Sequence, residues 1–438
     1  MPRARSTTVR DLRRRNRSRT LWELYLHGPL TYQQVAGAAG VSLATVSNVI
    51  GDLVRLGSVS EVGSEDSNGG RPRGLFHVNA DAGYVVGVDV GETAVMVELF
   101  DLGMRALASH RSVTKHGRLQ PAEVIELVVC GIDAVVRESG VEAAGILGVG
   151  VGVPGLVERM PLDAGGPETA TDPPTREAER TEAVVFDQSI GWGVAPIERS
   201  LHERIAFPLI VDNGANTLGQ AERWFGAAKD CDNAIIVLLG AGVGASILAA
   251  PGADAGAFAG ELGHTTIVYG GRECPCGARG CLEAYAGADA LIARYDELTQ
   301  HGALRQGTNA AAAVEDRMMS ILRAHDAGTD PAATQVVEEL AEYLGVGLAN
   351  LVNLFTAERI VIGGWLGHAL SDAVLSDIRD AIGRNALARP FQRLQLVRAQ
   401  LGSDAVALGA ATLPVAEFLD AGGVVAARAR RSAATVSV

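Results

Sequence analysis

Three of the chain's five cysteines fall within eight residues, in Cys274-Pro275-Cys276-Gly277-Ala278-Arg279-Gly280-Cys281, and His264 precedes the first of them by ten positions. No other stretch limits the fold as tightly. Read as His-x9-Cys-x-Cys-x4-Cys, it is a Cys3His set, the ligand type and number that closes a tetrahedral structural zinc site. Four protein donors (His264, Cys274, Cys276 and Cys281) leave no coordination position open, so the expected zinc ion holds a loop and does not activate water. Gly271, Gly277 and Gly280 give that loop turns sharp enough to aim three thiolates inward. Two carboxylates, Glu261 and Glu283, bracket the cluster without being needed as ligands. Carboxylates fixed beside a metal knuckle suggest a scaffold that presents hydrogen-bond acceptors to a polar ligand.

A chain of 438 residues exceeds one ordinary core and predicts two or three domains. Its 47% hydrophobic content and 53 glycines suit a soluble α/β protein. The N-terminus is arginine-rich and lacks the apolar segment of a signal peptide, and no run of about twenty apolar residues occurs. A cytoplasmic protein with no membrane partner is therefore expected, and an odd number of cysteines fits that reducing compartment. Charge is unevenly divided: residues 1–80 carry eleven arginines against six acidic residues, whereas the rest holds 27 basic against 45 acidic. A basic head on an acidic body points to a polyanionic partner for the head alone. A merely solvated basic tail is the bland alternative.

The next segment favours the first reading. Residues 17–27 place Leu21, Leu24 and Tyr25 at helical spacing, and Gly28-Pro29 ends that helix. Thr31 is placed to cap a second helix, Tyr32–Ala39, which Gly40 stops. Ser42 is placed to cap a third, Leu43–Leu56, with Gly57 as its stop. Helix, tight turn, helix is the helix-turn-helix pattern. In the third helix Leu43, Val46, Ile50 and Leu53 are expected to face inward. Ser42, Ala44, Thr45, Ser47 and Asn48 lie on its first turns, where small polar side chains approach base edges in a major groove. Two strands of a wing follow, around Val59–Val62 and Leu75–Val78, joined by Asn68-Gly69-Gly70-Arg71-Pro72-Arg73. Glycine lets that link lie close to DNA and proline keeps it extended, so Arg71 and Arg73 are candidates for a narrow minor groove. Together these elements predict a winged helix-turn-helix over residues 10–80, with a plain three-helix adaptor as the alternative.

From Tyr84 the pattern changes to buried strands that run into glycine turns. Tyr84–Val90 leads into Gly91-Glu92-Thr93, Ile146–Val153 into Pro154-Gly155, and Ala234–Leu239 into Gly240-Ala241-Gly242. A short strand at Leu209–Val211 ends in Asp212-Asn213-Gly214, ahead of a helix through Trp224. Residues 121–139 read as an amphipathic helix, and residues 159–183, rich in Pro, Glu, Thr and Ala, as a mobile surface excursion. Mostly helical sequence follows the cysteine cluster, and Ile360–Gly364 forms a late strand and turn. The expected division is a first lobe over 81–215, a second over 216–415 containing the knuckle at 264–281, and a flexible tail over 421–438.

With these pieces in hand, the chain resembles the ROK family (repressors, open reading frames and sugar kinases) over roughly residues 10–415. Its most specific elements are Glu261-x-x-His264, the cysteine cluster and Cys281-Leu282-Glu283, together with the Gly-Gly-Arg-Pro wing. The resemblance implies an α/β fold of two actin-like, ribonuclease H-like lobes around a cleft, preceded by a winged helix. It places Asn213, Glu261, His264 and Glu283 on sugar hydroxyls, with backbone near Gly155 closing one side. In that arrangement His264 binds zinc through one nitrogen and directs the other N–H at the sugar. Ser189, where the family often has asparagine, departs from the pattern and loosens any inference about which sugar.

The family's kinase residues are altered at four positions. Active members carry Asn-Asp, whose aspartate takes the proton from the attacking hydroxyl; here the pair is Asn213-Gly214. Such a base supplies roughly 10²–10⁴-fold in rate, and glycine cannot replace it. Asp212 is an unsuitable substitute because one residue of displacement along a strand reverses the side-chain direction. The first phosphate turn has Glu92 in place of glycine, the second has Ala241 in place of threonine, and the adenosine turn has Trp365 in place of its third glycine. No catalytic residue is therefore expected. The combined expectation is a sugar-responsive DNA-binding regulator, a repressor of carbohydrate genes, with a degenerate kinase body as effector sensor. Its partners are a palindromic double-stranded operator, a small sugar, and further copies in a homodimer or homotetramer, with Thr334–Leu354 as the packing helix. The alternatives are an active sugar kinase with an attached DNA-binding domain, and a DNA-binding scaffold that answers to a protein partner.

Overall fold

A computed structural model describes residues 9–66, 72–114, 120–161, 181–187, 192–249, 258–299 and 310–424. The head comprises α1 (Val9–His27), α2 (Tyr32–Ala39), α3 (Leu43–Arg55) and the antiparallel pair β1 (Val59–Glu65) and β2 (Arg73–Val78). Thr31 and Gln34 form a capping box at the start of α2, and Ser42 accepts from the Thr45 N–H at the start of α3. Gly40 closes α2 at φ 64°, in the left-handed region that glycine enters without penalty. Val46, Ile50 and Leu53 are fully buried as expected, but Leu43 is 48% exposed. It is the first residue of α3, one turn beyond the part of the helix that α1 and α2 cover. α1 also begins eight residues earlier than the helix expected from Arg17, since its polar first turns carry no apolar signal.

Two five-stranded sheets and a smaller three-stranded one make up the body among the described residues. The first is formed by β3 (Tyr84–Val90), β4 (Ala94–Asp101), β5 (Ala106–Val113), β6 (Ile146–Val153) and β10 (Leu209–Asn213), with α4 (Pro121–Ser139) packed on β4 and β5. Between β6 and β10 run β7 (Leu156–Pro161), β8 (Thr181–Asp187) and β9 (Gly193–Ala195), paired in that order as the three-stranded sheet, and then α5 (Ile197–His202). After α6 (Gly214–Phe225), the second sheet takes β11 (Ala234–Leu239), β12 (Val243–Leu248), β13 (Phe258–Gly260), β14 (Arg359–Gly363) and β15 (Gln395–Arg398). The helices α7 (Glu283–Ala286), α8 (Ala288–Thr299), α9 (Ala310–Asp326) and α10 (Pro331–Phe355) precede β14, and α11 (Gly364–Ala369), α12 (Asp372–Asn385) and α13 (Ala388–Arg393) follow it. α14 (Ala405–Asp420) is the last element among the described residues.

The strand orders of the two larger sheets are β10-β6-β3-β4-β5 and β13-β12-β11-β14-β15. In each sheet the first strand is antiparallel to the next one along the chain and parallel to the one that arrives after a helix. The same topology twice over is the two-lobed body expected above. Ribbons of Val and Ile such as Val86, Val88, Val149 and Val151 are fully buried, as strands covered on both faces require.

Four expectations need correction. The excursion at 159–183 begins and ends as strand, because β7 pairs with β8 from Leu156↔Phe186 to Pro161↔Thr181; residues 162–180 lie outside the described residues. The tail's first residues are packed, with the buried Ser58 hydroxyl donating to the Gly423 carbonyl at 2.9 Å, whereas residues 425–438 lie outside the described residues. The boundary at 215/216 puts α14 with the second lobe, although it lies on β3 and β6 of the first sheet as well as on α6. Finally, the apolar side of α10 faces its own lobe: Val336, Leu340, Leu344 and Leu348 are fully buried, which rules out that face as a dimer surface.

α14 approaches the first sheet closely because β3 and β6 present glycines to it. A methyl group on Gly150 would run into the Ala410 carbonyl, and one on Gly87 into the Ala407 carbonyl. The contact is backbone on backbone, with no flexible side chain to give way. Gly150→Ala is accordingly expected to cost about 3 kcal/mol, visible as a lowered thermal midpoint. Gly51→Ala, on an open helical face of α3, should cost nothing or stabilise slightly.

Candidate functional site

The loops after β3, β6, β10, β11 and β13 contain the residues singled out in the sequence. At the end of β10, burial alternates through Val211, Asp212 and Asn213, so Asp212 and Asn213 point to opposite faces. Asp212 accepts from the Asn213 N–H at 2.7 Å and from Asn216 Nδ2 at 3.0 Å, which ties it to the first turn of α6. Asn213 caps α6 through Oδ1, accepting from the Ala215 N–H at 2.7 Å, and its Nδ2 donates to the Gly155 carbonyl at 2.6 Å. That bond joins the two residues expected to share one wall. It leaves Asn213 with one amide hydrogen to offer, less than the full donor and acceptor capacity expected of it. Gly214 follows as the first residue of α6 and has no proton acceptor.

The cysteine cluster forms as the spacing implied. His264, Cys274, Cys276 and Cys281 each offer one donor atom, and these atoms lie within 4.8 Å of one another. His264 Nδ1 stands 3.6 Å from Cys274 Sγ, and Cys276 Sγ stands 3.8 Å from Cys281 Sγ. A tetrahedron with ligand bonds of about 2.0–2.3 Å has edges of roughly 3.3–3.8 Å, so the donor set fits a four-coordinate ion. Gly280 at φ 81° and Gly277 at φ 92° supply the left-handed turns between the thiols. Burial pushes the Cys274 thiol up to about 12 and raises Cys281 as well, so in the metal-free protein these sulfurs hold their protons. A bound cation reverses that preference and releases the protons. Because Nδ1 faces the cysteines, Nε2 is the His264 nitrogen left to face outward.

Glu283 Oε2 accepts from the Val243 N–H at 3.1 Å, which sets this carboxylate against the turn between β11 and β12. A methyl group on Gly242 would lie 2.7 Å from Glu283 Oε2 and 3.1 Å from Glu92 Oε1. Glu92, from the first sheet, therefore reaches across to the corresponding turn of the second. A methyl on Gly240 would lie 2.9 Å from Trp365 Nε1, so the indole covers that same turn from the other side. Glu261 is exposed, just ahead of the short helical turn that carries His264. Ser189 lies outside the described residues.

Sequence reasoning missed two features that join distant segments. The Thr93 hydroxyl donates to Glu315 Oε1 at 2.7 Å, and Arg111 Nη2 lies 3.3 Å from the same carboxylate. This clasp links the first sheet to α9 of the second lobe. Asp89 and Glu98 gather near Asp404; burial first, and the Asp404 charge second, push both up to about 7. Partners some 200 or 300 positions apart leave no local signal.

On the head, Ser42, Ala44, Ser47 and Asn48 are exposed, and Thr45 is half-buried with its hydroxyl 2.8 Å from that of Ser42. Arg73 is exposed at the start of β2, and Arg71 lies outside the described residues. Arg17 holds Asp52 at 3.0 Å, bracing α1 against α3. Among the described residues no single helix is long and apolar enough to cross a membrane.

A family model described as the ROK family matches residues 85–417. The xylose repressor of Caldicellulosiruptor bescii is 29% identical over 399 residues, covering 88% of this chain and 92% of that protein. A glucokinase of Halalkalibacterium halodurans is 30% identical over 334 residues, covering 74% of this chain and 93% of that enzyme. Among solved structures, a ROK family transcriptional regulator, homologous to the Escherichia coli MLC protein, superposes with a TM-score of 0.70 at 22% identity, covering 96% of this chain and 99% of that one. The last comparison shows a shared fold from head to tail.

The desolvated carboxyl of half-buried Asp89 gives a pH signature. A carboxyl whose folded value is raised favours the folded state at low pH and loses that advantage as pH rises from about 4 to about 7. Asp89→Asn should therefore raise the thermal midpoint at pH 8 and leave it nearly unchanged at pH 4. Elemental analysis should find about one metal ion per chain in the wild type and little in Cys276→Ser, which should also melt at a lower temperature.

Proposed function

The chain belongs to the ROK family, and on that premise we propose that it is a sugar-responsive transcriptional regulator, a repressor, whose kinase-type body senses a sugar without phosphorylating it. One observation carries the reading: at the end of β10, the position where the chemistry needs a base holds Gly214, beside an Asn213 still fastened to Gly155. The repressor relative aligns over 88% of this chain and 92% of its own length, whereas the glucokinase relative matches 74% of this chain. Glu92 and Trp365 occupy the phosphate and adenosine turns, which supports a body that no longer accommodates nucleotide.

In this reading the sugar's hydroxyls meet Asn213, Glu261, His264 and Glu283, with the backbone at Gly155 closing one side. A zinc ion held by His264, Cys274, Cys276 and Cys281 supplies no chemistry to the sugar; it fixes the imidazole so that Nε2 faces the ligand. Glu283, held by the Val243 N–H, keeps one oxygen in place as an acceptor. DNA is contacted through Ala44, Ser47 and Asn48 at base edges, with Ser42 and Thr45 at the helix start and Arg71 and Arg73 on the wing. The protein acts in the cytoplasm as a dimer or tetramer on a palindromic operator, as twofold symmetry favours. Sugar changes operator affinity only as far as it binds one lobe arrangement better than the other.

Genome-wide footprinting with and without D-xylose and D-glucose tests the regulator; protection that ignores every sugar defeats the effector role. The rival reading, suggested by the glucokinase relative, is an active kinase. A coupled assay with ATP, Mg²⁺ and a hexose panel should show no turnover, and Gly214→Asp alone should not create it while Glu92 and Trp365 remain. Arg73→Ala should weaken DNA binding and leave metal content unchanged.

A further inference from the structure

The two helices between the cleft and the head pack on each other, and each leans mainly on a different sheet, with Ala405 and Val406 at the start of α14 also joining the cluster of Leu218 and Ile236. α14 lies on the first sheet, its backbone against Gly87 and Gly150. α6 packs on β11 and β12, with Leu218 in a buried cluster beside Ile236 and with Asn216 accepting from the Ser246 hydroxyl at 2.9 Å. The helices cross at Gly409 and Thr217, where a methyl on Gly409 would run into the Thr217 carbonyl, and they stay in contact one turn on, where Gln220 Nε2 donates to Thr412 Oγ1 at 2.6 Å. Both start at the cleft, α6 from Asn213 and α14 from Asp404, and both end at the head. With twelve and sixteen residues they run about 18 and 24 Å.

One side chain of α1 touches both far ends. The ring of Trp22 meets Trp224 on α6 edge-on, with centroids 5.3 Å apart, while its Nε1 donates to Asp420 Oδ1 on α14 at 2.8 Å. Tyr25, one turn further along α1, also packs edge-on against Trp224, at 5.7 Å. Trp224 and Asp420 lie roughly 10 and 16 Å beyond the crossing, so a rotation of about 5° there displaces Trp224 by roughly 1 Å. A displacement of that size stretches the edge-to-face contact and the single hydrogen bond from Nε1, and a movement of α1 relieves both.

We propose that Trp22 reads the relative position of the two lobes, and that α1 turns a change at the cleft into a change in the head's orientation. This rests on the sugar-responsive reading given above. α14 alone does not carry the signal, because most of it rests on the first sheet; the information lies in the offset between Trp224 and Asp420, which Trp22 contacts at both ends and which Tyr25 and Ser18 flank on the same helix. Trp22 and Asp420 are positioning residues and contact neither ligand.

The test uses the full chain and the variants Trp22→Phe, Asp420→Ala and Asp420→Asn. Phenylalanine keeps a ring against Trp224 and loses the N–H; asparagine keeps an Oδ1 acceptor and serves as the conservative rescue. Without DNA or sugar, amide exchange in residues 20–27 should rise at least tenfold in Trp22→Phe and Asp420→Ala, should stay near wild type in Asp420→Asn, and should not change in β11 or β14. Operator and sugar affinities measured separately should each stay within about twofold of wild type. The factor by which D-xylose or D-glucose changes operator affinity, commonly about 5–150-fold for coupled sites, should fall at least threefold in the first two variants and be retained in the third. Exchange at wild-type level in both disruptive variants, or an undiminished sugar response in both, overturns the proposal. A wild-type protein that ignores every sugar overturns the regulator reading instead, and the exchange measurement then still decides whether Trp22 holds α1 to the two helices.

Discussion

Backbone-on-backbone contact at a few glycines holds this molecule together. Gly87 and Gly150 let α14 settle onto the first sheet, and Gly409 lets it settle against α6. With side chains at these positions the helices would stand off by the thickness of a methyl group or more. The caps at Asn213 and the head's core would then no longer be in register. That core is continuous with the body: Leu21, Leu24, Ile50 and Leu53 of the head share a buried cluster with Val85 and Phe100 of the first sheet and with Val415, Phe418 and Leu419 of α14. The winged helix is thus built onto the body and is not tethered to it by a loose linker.

At the cleft, Gly214 stands in a closely bonded frame. Asn213 caps α6 and bonds Gly155, and Glu283 is held by the turn between β11 and β12. Those bonds stabilise the turns whatever chemistry the site performs. The same turns approach their opposite numbers through Glu92 and Trp365. Across the cleft, the Thr93 hydroxyl is engaged by the Glu315 carboxylate, an acidic group of the protein itself.

Much of this was legible in sequence because the relevant residues are close together along the chain. The His264–Cys281 donor set spans one loop, the caps at Thr31 and Ser42 sit one turn from the groups they bind, and the strand from Ile146 to Val153 is an unbroken apolar run. Leu43 was misread because helical spacing identifies a face and does not say how far along it the neighbours extend. The helix from Thr334 shows a related limit: an apolar stripe marks a packing face without naming its partner, and its inner side packs in its own lobe. The Gly409–Thr217 crossing, the Trp22–Asp420 bond and the Glu315 clasp join segments 192, 398 and 222 residues apart, which no local pattern reports.

The central claim is that the cleft and the head exchange free energy. Linkage makes that claim reciprocal: if sugar alters operator affinity by some factor, operator DNA must alter sugar affinity by the same factor. Calorimetric titration of the sugar into free protein and into the protein–operator complex measures this directly. The account predicts two different sugar affinities whose ratio equals the sugar-induced change in operator affinity. Equal affinities in the two titrations would contradict it.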